Sequence, residues 1–459
     1  MKATATSIDG RSFDFRSPIE GLELQPGGYA ALGPHLGQVH TVEVVPGDSS
    51  SAHGRGIFLE PGVAPFHDLE IGRAGEGEVR AWLEETRPAR AGLDVGELAA
   101  EPGVRFLLDA GGFDRHTFFC GQSGSGKSYA LGVVLEQLLL ETSLRIVVLD
   151  PNSDFVRVDA LRDGIDGDVA SRYREAAEGV VVRRGGEGAE RLHVRFTDFD
   201  ADEQAAVLRL DPIGDRDEYG VLVDLVEQGL ETEASSANDV ADRLLQAERP
   251  EQRALGTRLR NLGIHKWPVW STGDEGSIQD LVGQGGPRGL VVDLGSLGTL
   301  GEKAIAAESV LAALWRRRAE RDPILIVIDE AHNVCPRQPA DEVTTLATEH
   351  AARIAAEGRK FGLYLLVSTQ RPQRVNELVV SQCDNLVLMR MSSAADRAYI
   401  AETLSFAPGA LVDRAGIFGP GEALVAGKIA SHPAFVRFGP RIAEEGGGDV
   451  PSTWAKQGA

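Results

Sequence analysis

Two rhythms of apolar spacing divide the chain. Over residues 1 to about 100, the short runs GGYAALG, QVHTVEVV and GRGIFLE are broken by Gly and Pro. Partly alternating runs between turn residues predict short strands in a small β-barrel or sandwich. DVGELAAEPGVRF (94–106) reads as the passage into a second domain. From about residue 105, strand-like runs alternate with helical spacing: HTFFC, then YALGVVLEQLLLE, then LRIVVLD. That order predicts a parallel sheet with crossover helices. Between roughly 200 and 285 the spacing turns helical, as in DEQAAVLRL, EYGVLVDLVEQGL, ANDVADRLLQ and EQRALGTRLRNLG. The strand rhythm returns with GLVVDLG (289–295), PILIVIDE (323–330), FGLYLLVST (361–369) and NLVLMRM (385–391). The expected architecture is an α/β domain over 101–440 with a mainly parallel sheet and a helical insertion at about 200–285. A β-barrel-like domain over 1–100 precedes it, and 441–459 reads as a flexible or docking tail.

The stretch GQSGSGKSYALG (121–132) stands between the run HTFFC and a helical segment, and has the form GxxxxGK[ST]. Glycines at this spacing let backbone N–H groups converge on phosphate oxygens where side chains would block them. The candidate binding stretch is Gly121, Gln122, Ser123, Gly124, Ser125, Gly126, Lys127, Ser128 and Tyr129. Lys127 would reach the β- and γ-phosphates of ATP and Ser128 would offer its hydroxyl to Mg²⁺. A helix beginning there aims its positive end at the anion.

A phosphate loop of this kind needs an acidic strand end, and ILIVIDE provides one. Five aliphatic residues ending in Asp329 and Glu330 suit a buried parallel strand. Asp329 would hold Mg²⁺ through water, and Glu330 would polarise the attacking water. In an open parallel sheet, ligands sit beyond the carboxyl ends of the strands, where Asp150 and Gln370 also fall. Gln370 would sense the γ-phosphate or orient water. Asp150 either supports the water and metal network or caps the turn PNSD. AEGRKFGLYLLV sets Gly358 as a helix stop, with Arg359 in the turn before the next strand. There, at the amino edge of the sheet, Arg359 is either solvated or serves a neighbouring subunit's nucleotide. RRR (316–318) reads as the wet end of an amphipathic helix.

Composition narrows the picture only slightly. Apolar residues at 42% and charged residues at 25% fit a soluble globular protein. The longest aliphatic run, ILIVI, is far short of a membrane span, and MKATATSIDGRSFDF shows no apolar signal region. Cys120, Cys335 and Cys383 lack CxxC spacing and read as small buried residues in a reducing cytoplasm. The net charge of −22 opposes nonspecific coating of DNA or anionic membrane, although a basic channel would act through its local field. The ten His show neither HExxH nor paired metal spacing, and His332 reads as structural.

GQSGSGKSYALG, LDPNSDF, IDEAHNVCP, EGRKFG, STQRP and NLVLMRM follow the order and spacing of the HerA–FtsK superfamily, and the chain most resembles HerA-type ATPases. The resemblance covers about 105 to 440. It implies a RecA-like P-loop core, an N-terminal barrel, and a helical insertion between the second and third core strands. It also implies a homohexameric ring that hydrolyses ATP with Mg²⁺ and threads duplex DNA through a central channel. Such proteins work with a NurA-like nuclease in DNA-end processing or with an effector in antiphage defence. Carried over by residue, the arginine finger falls on Arg359 and the sensor glutamine on Gln370. LDPNSDF departs from the pattern, since many relatives have His and Glu where Asn152 and Asp154 stand. DEAH (329–332) is similar to superfamily-2 helicases, but no second lobe and no QRxGRxGR element accompany it. The other function class consistent with these residues is an ATP-dependent scaffold ring that controls an effector enzyme.

Overall fold

The computed structural model describes residues 2–88, 90–227, 237–271, 275–283 and 285–447. Most of the expected tail, 448–459, therefore lies outside the described residues, as do 228–236 and 272–274 within the helical stretch. The chain forms two compact units. The first runs to Thr142 and adds Thr369–Gln373 and Val380–Arg441. The second is Ser143–Ser368 with Arg374–Val379 and the residues from Ile442 on.

The first unit opens with a closed antiparallel barrel of six strands. They are Thr4–Ser7, Ser12–Pro18, Tyr29–Leu32, His35–Val45, Asp48–Phe58 and Phe66–Arg73. Alternation decides the inside: in SFDFRSP, Phe13 and Phe15 point to the core while Asp14 and Arg16 face out. Phe13, Phe15, Leu32, Val39, Phe58 and Ile71 fill the interior. The rings fit because glycines stand opposite them. A Cβ on Gly56 would lie 2.3 Å from Phe13 Cζ and 2.4 Å from the Gln38 carbonyl oxygen. We therefore expect Gly56→Ala to cost about 1–3 kcal/mol of stability by overpacking, read as a lowered thermal midpoint.

The same unit carries a mixed sheet. His116–Cys120 runs parallel to Cys383–Met389, and Glu422–Gly427, Ala434–Phe438, Gly92–Leu98 and Arg105–Asp109 continue the sheet with antiparallel pairings. Residues 94–106, expected as a passage between domains, form most of a hairpin in this sheet, with Leu93 facing Leu108. The expectation missed it because LDVGEL buries Leu93, Val95 and Leu98 but carries Gly and two acids between them.

The second unit holds five parallel strands in the order Val180–Arg184, Gly289–Asp293, Arg145–Asp150, Ile324–Ile328, Leu363–Thr369. Gly289–Asp293 and Ile324–Ile328 are buried at every position, which explains their unbroken aliphatic runs. Between the first two strands of that order lie the helices Ala201–Leu208, Arg216–Glu227, Ala237–Leu245 and Pro250–Leu262. The first starts with a capping box in which the Glu203 N–H donates to Asp200 and the Asp200 N–H donates to Glu203. Leu300–Arg316 packs beside Glu342–Glu357. Arg316 is not merely solvated: its guanidinium lies on the buried carboxylate of Glu203, at 2.7 Å. Arg318 stacks over the Trp315 ring, 4.4 Å from its centroid. Among the described residues, no helix is long and apolar enough to cross a membrane.

Candidate active site

The phosphate loop belongs to the first unit. His116–Cys120 is buried throughout and delivers the chain to Gly121, and the helix Lys127–Glu141 begins directly after Gly126. Gly124 (φ +70°) and Gly126 (φ +88°) adopt left-handed conformations that side chains resist. The helices Leu300–Arg316 and Glu342–Glu357 start with a side-chain oxygen on the first turn, from Thr299 and Asp341. This one starts from Gly126, which has no side chain to offer, and so keeps its positive end for an anion.

The loop is held from behind. The Gly121 N–H donates to Thr369 O (3.3 Å), the Gln122 N–H to Arg390 O (2.9 Å), and the Gly421 N–H to Ser125 O (2.9 Å). The Ser392 N–H donates to Gln122 Oε1 at 2.7 Å, and Arg390 Nη2 donates to Gly124 O at 3.0 Å. These contacts set Gln370 next to a residue that grips the start of the loop. A Cβ on Gly121 would lie 2.8 Å from both Met389 Cβ and Ser125 Oγ. Ser125 Oγ itself is buried and has no hydrogen-bond partner. A cradle closed to side chains, with an unused buried hydroxyl, fits a nucleotide's phosphates. Lys127 is buried to 5% exposure.

Further along the same helix, Tyr129 Oη accepts the Arg441 N–H (2.9 Å), and Arg441 Nε donates to Glu136 Oε1 (2.9 Å). Arg441 and Glu136 are both fully buried, and a Cβ on Gly132 would collide with the guanidinium at 2.5 Å. Arg441 thus fastens the first unit's last residue to the nucleotide helix. Neither Arg390 nor Arg441 was foreseen. Arg390 had a signal, since it stands near the end of the strand-like run NLVLMRM; Arg441 had none in its neighbourhood.

The second unit holds the acidic strand ends. Asp329 is fully buried, donates its backbone N–H to Leu149 O (3.1 Å), and accepts Ser368 Oγ–H on Oδ1 at 2.7 Å. A carboxylate so oriented offers hard oxygen, the donor type that Mg²⁺ prefers. Glu330, 3% exposed, adopts φ +41°, a left-handed conformation costly for a non-glycine residue. His332 Nδ1 lies 3.2 Å from Glu330 Oε2, so His332 orients the carboxylate.

Of the two roles open to Asp150, the geometry describes the turn cap. Its Oδ1 accepts the N–H groups of Asn152 (3.3 Å) and Asp154 (3.1 Å), and its Oδ2 that of Phe155 (2.8 Å). Burial pushes its carboxyl up to about 7, against the opposing pull of those N–H groups and with a smaller push from Asp329.

Arg359 lies exposed in the short helical turn Gly358–Phe361, just before the strand Leu363–Thr369. Gly358 caps the helix Glu342–Glu357 as expected, but in a right-handed conformation (φ −57°); the left-handed residue is Gly362 at +83°. Gly358 is needed for space, since a Cβ there would meet Leu363 O at 2.8 Å. Ile324 faces Leu363 and Ile328 faces Val367 in parallel register. Five such residues span about 16 Å, so Arg359 and the Asp329–Glu330 end lie at opposite edges of these two strands.

Residues 93–265 match the family model described as Helicase HerA, central domain. Over 411 residues the chain is 24% identical to the DNA double-strand break repair helicase HerA of Pyrococcus furiosus, covering 76% of this chain and 69% of that one. Over 440 residues it is 23% identical to the probable helicase MJ1565 of Methanocaldococcus jannaschii, covering 88% and 77%. A local match to HerA of Sulfurisphaera tokodaii reaches 35% identity but spans only 23% of that protein. VirB4 of Thermoanaerobacter pseudethanolicus shares the fold with a TM-score of 0.51 at 15% identity, over 76% of this chain and 97% of that one. The bacterial conjugative coupling protein TrwBdeltaN70 does so equally, with a TM-score of 0.51 at 15% identity over 82% and 95%. The central-domain match over 93–265 and the similarity to HerA helicases over most of the chain agree with the phosphate loop and the acidic strand end, and make the chain similar to HerA-type P-loop ATPases.

Proposed function

We propose that this chain is the subunit of a homohexameric ring that hydrolyses ATP at its subunit seams and moves along duplex DNA held in the central channel. The position of Arg359 carries the reading. It stands at the amino edge of a strand whose neighbour ends in Asp329 and Glu330, too far to serve that end itself. That separation supports a role for Arg359 in the site of an adjacent subunit.

In this reading the loop Gly121–Gly126 and the start of the helix bind the phosphates. Lys127 neutralises the β- and γ-oxygens, and Gln370 orients the water or senses the γ-phosphate. Glu330 accepts the water's proton, positioned by His332. Asp150 holds the turn after its strand and thereby supports this edge of the site. Ser128 and Asp329 would hold Mg²⁺, which supplies charge neutralisation at the phosphates when bound. A NurA-like nuclease or a defence effector would act on the DNA that the ring delivers, in end processing or antiphage defence.

The net charge of −22 favours one other reading, a scaffold ring that regulates an effector with little translocation. The two part in a salt series. A motor that grips phosphates shows ATPase stimulation by duplex DNA, and the stimulation weakens steeply as salt rises. Turnover indifferent to DNA at every ionic strength, yet raised by a partner protein, would replace the motor with the scaffold.

A further inference from the structure

Among the described residues, and apart from the candidate nucleotide site, one cluster of ligating side chains assembles from three helices of the second unit. Glu203 comes from Ala201–Leu208, Glu308 from Leu300–Arg316, and His350 from Glu342–Glu357. One ligand atom from each lies within 4.8 Å of the other two. Glu203 and Glu308 are 3% and 1% exposed, and His350 is half-buried.

Protein contacts satisfy only part of this cluster. His350 Nδ1 lies 2.9 Å from Glu308 Oε1. Arg316 Nη1 donates to both oxygens of Glu203, at 2.7 and 3.0 Å, and its Nη2 donates to Gln279 Oε1 (3.0 Å). The Asp200 N–H also donates to Glu203 Oε2, at 2.8 Å. Glu308 Oε2 is buried and receives no hydrogen bond. A buried carboxylate oxygen left without a donor loses its hydration and gains nothing in return. Something positive belongs beside it.

We infer that Glu203, Glu308 and His350 form a binding site for a divalent transition-metal cation. One imidazole and two carboxylates make the mixed nitrogen and oxygen donor set that suits Zn²⁺ or Mn²⁺. Arg316 balances one of the two carboxylates, so the pair presents roughly one net negative charge to the cation. The ion would staple the first helix of the inserted segment to the two core helices. Glu342–Glu357 runs directly into the turn that bears Arg359, so the staple also fixes the base of that arm.

The test uses the full chain, stripped with a chelator, then titrated with ZnCl₂ in the absence of nucleotide and Mg²⁺. We expect a single tight equivalent per chain and a thermal midpoint raised by about 2–4 °C or more. Glu308→Gln and His350→Gln should each abolish that equivalent while retaining the native circular dichroism spectrum and ATP binding. Asp329→Asn should leave it intact, which separates this site from the nucleotide's metal. No stoichiometric zinc in the wild type would overturn the proposal and leave a network closed by protons. Zinc that survives both cluster substitutions, or that vanishes with Asp329→Asn, would overturn it equally.

Discussion

Arg359→Ala retains ATP binding and loses turnover by about 10³–10⁵-fold, the range associated with removing an arginine that meets the transferred phosphoryl group from outside. The expectation rests on the separation of this side chain from its own strand's carboxyl edge. In the proposed ring such a group acts through a seam, and subunits should complement each other. Lys127→Ala loses the phosphate grip but keeps Arg359, whereas Arg359→Ala has the reverse defect. Mixed rings contain some seams with both groups intact, and steady-state ATPase should reappear on mixing, in proportion to those seams. A monomeric preparation that hydrolyses ATP at full speed, or mixtures as silent as the separate variants, would refute the shared site.

Glu330→Gln is the second large effect. The amide has the size of the carboxylate and fits the same buried niche, but it cannot take a proton from water. Loss of a positioned general base costs about 10²–10⁴-fold in the chemical step. Binding should persist, because the phosphate loop does not depend on this residue, so the variant should accumulate bound, uncleaved ATP. Single-turnover quench measurements separate the two steps. His332 is 3.2 Å from the carboxylate and should show a smaller defect of the same kind, since it orients the base without replacing it. Equal turnover in wild type and Glu330→Gln would transfer the role of base elsewhere.

The chemistry of this protein is written locally, and for that reason most of the site was legible before the fold. A phosphate cradle needs glycines and a lysine at fixed spacing, and a buried parallel strand needs an aliphatic run with its acid at the end. Both requirements lie within a dozen consecutive residues, at 121–132 and 323–330. Arg359 was also legible, because a turn before a strand fixes which edge of the sheet it occupies. What escaped was whatever depends on distant chain. The strand Val180–Arg184 sits at the margin of the second unit's parallel strands, and its half-buried VVVRR lacks the long apolar run that marks the inner strands. Arg441 meets Glu136 across 305 positions. Glu203, Glu308 and His350 approach one another only because three helices cross, so no spacing rule could have joined them.

As the proposed general base, Glu330 illustrates what catalysis asks of a scaffold. Its φ of +41° is a backbone state that glycine occupies without penalty and that a glutamate holds only under constraint, at about 1–3 kcal/mol. Any engineering campaign scored on heat tolerance alone would therefore drift toward a sturdier residue at this one position. The improved protein would be idle. If Glu330 is the base proposed above, durability and turnover compete here over a single torsion angle.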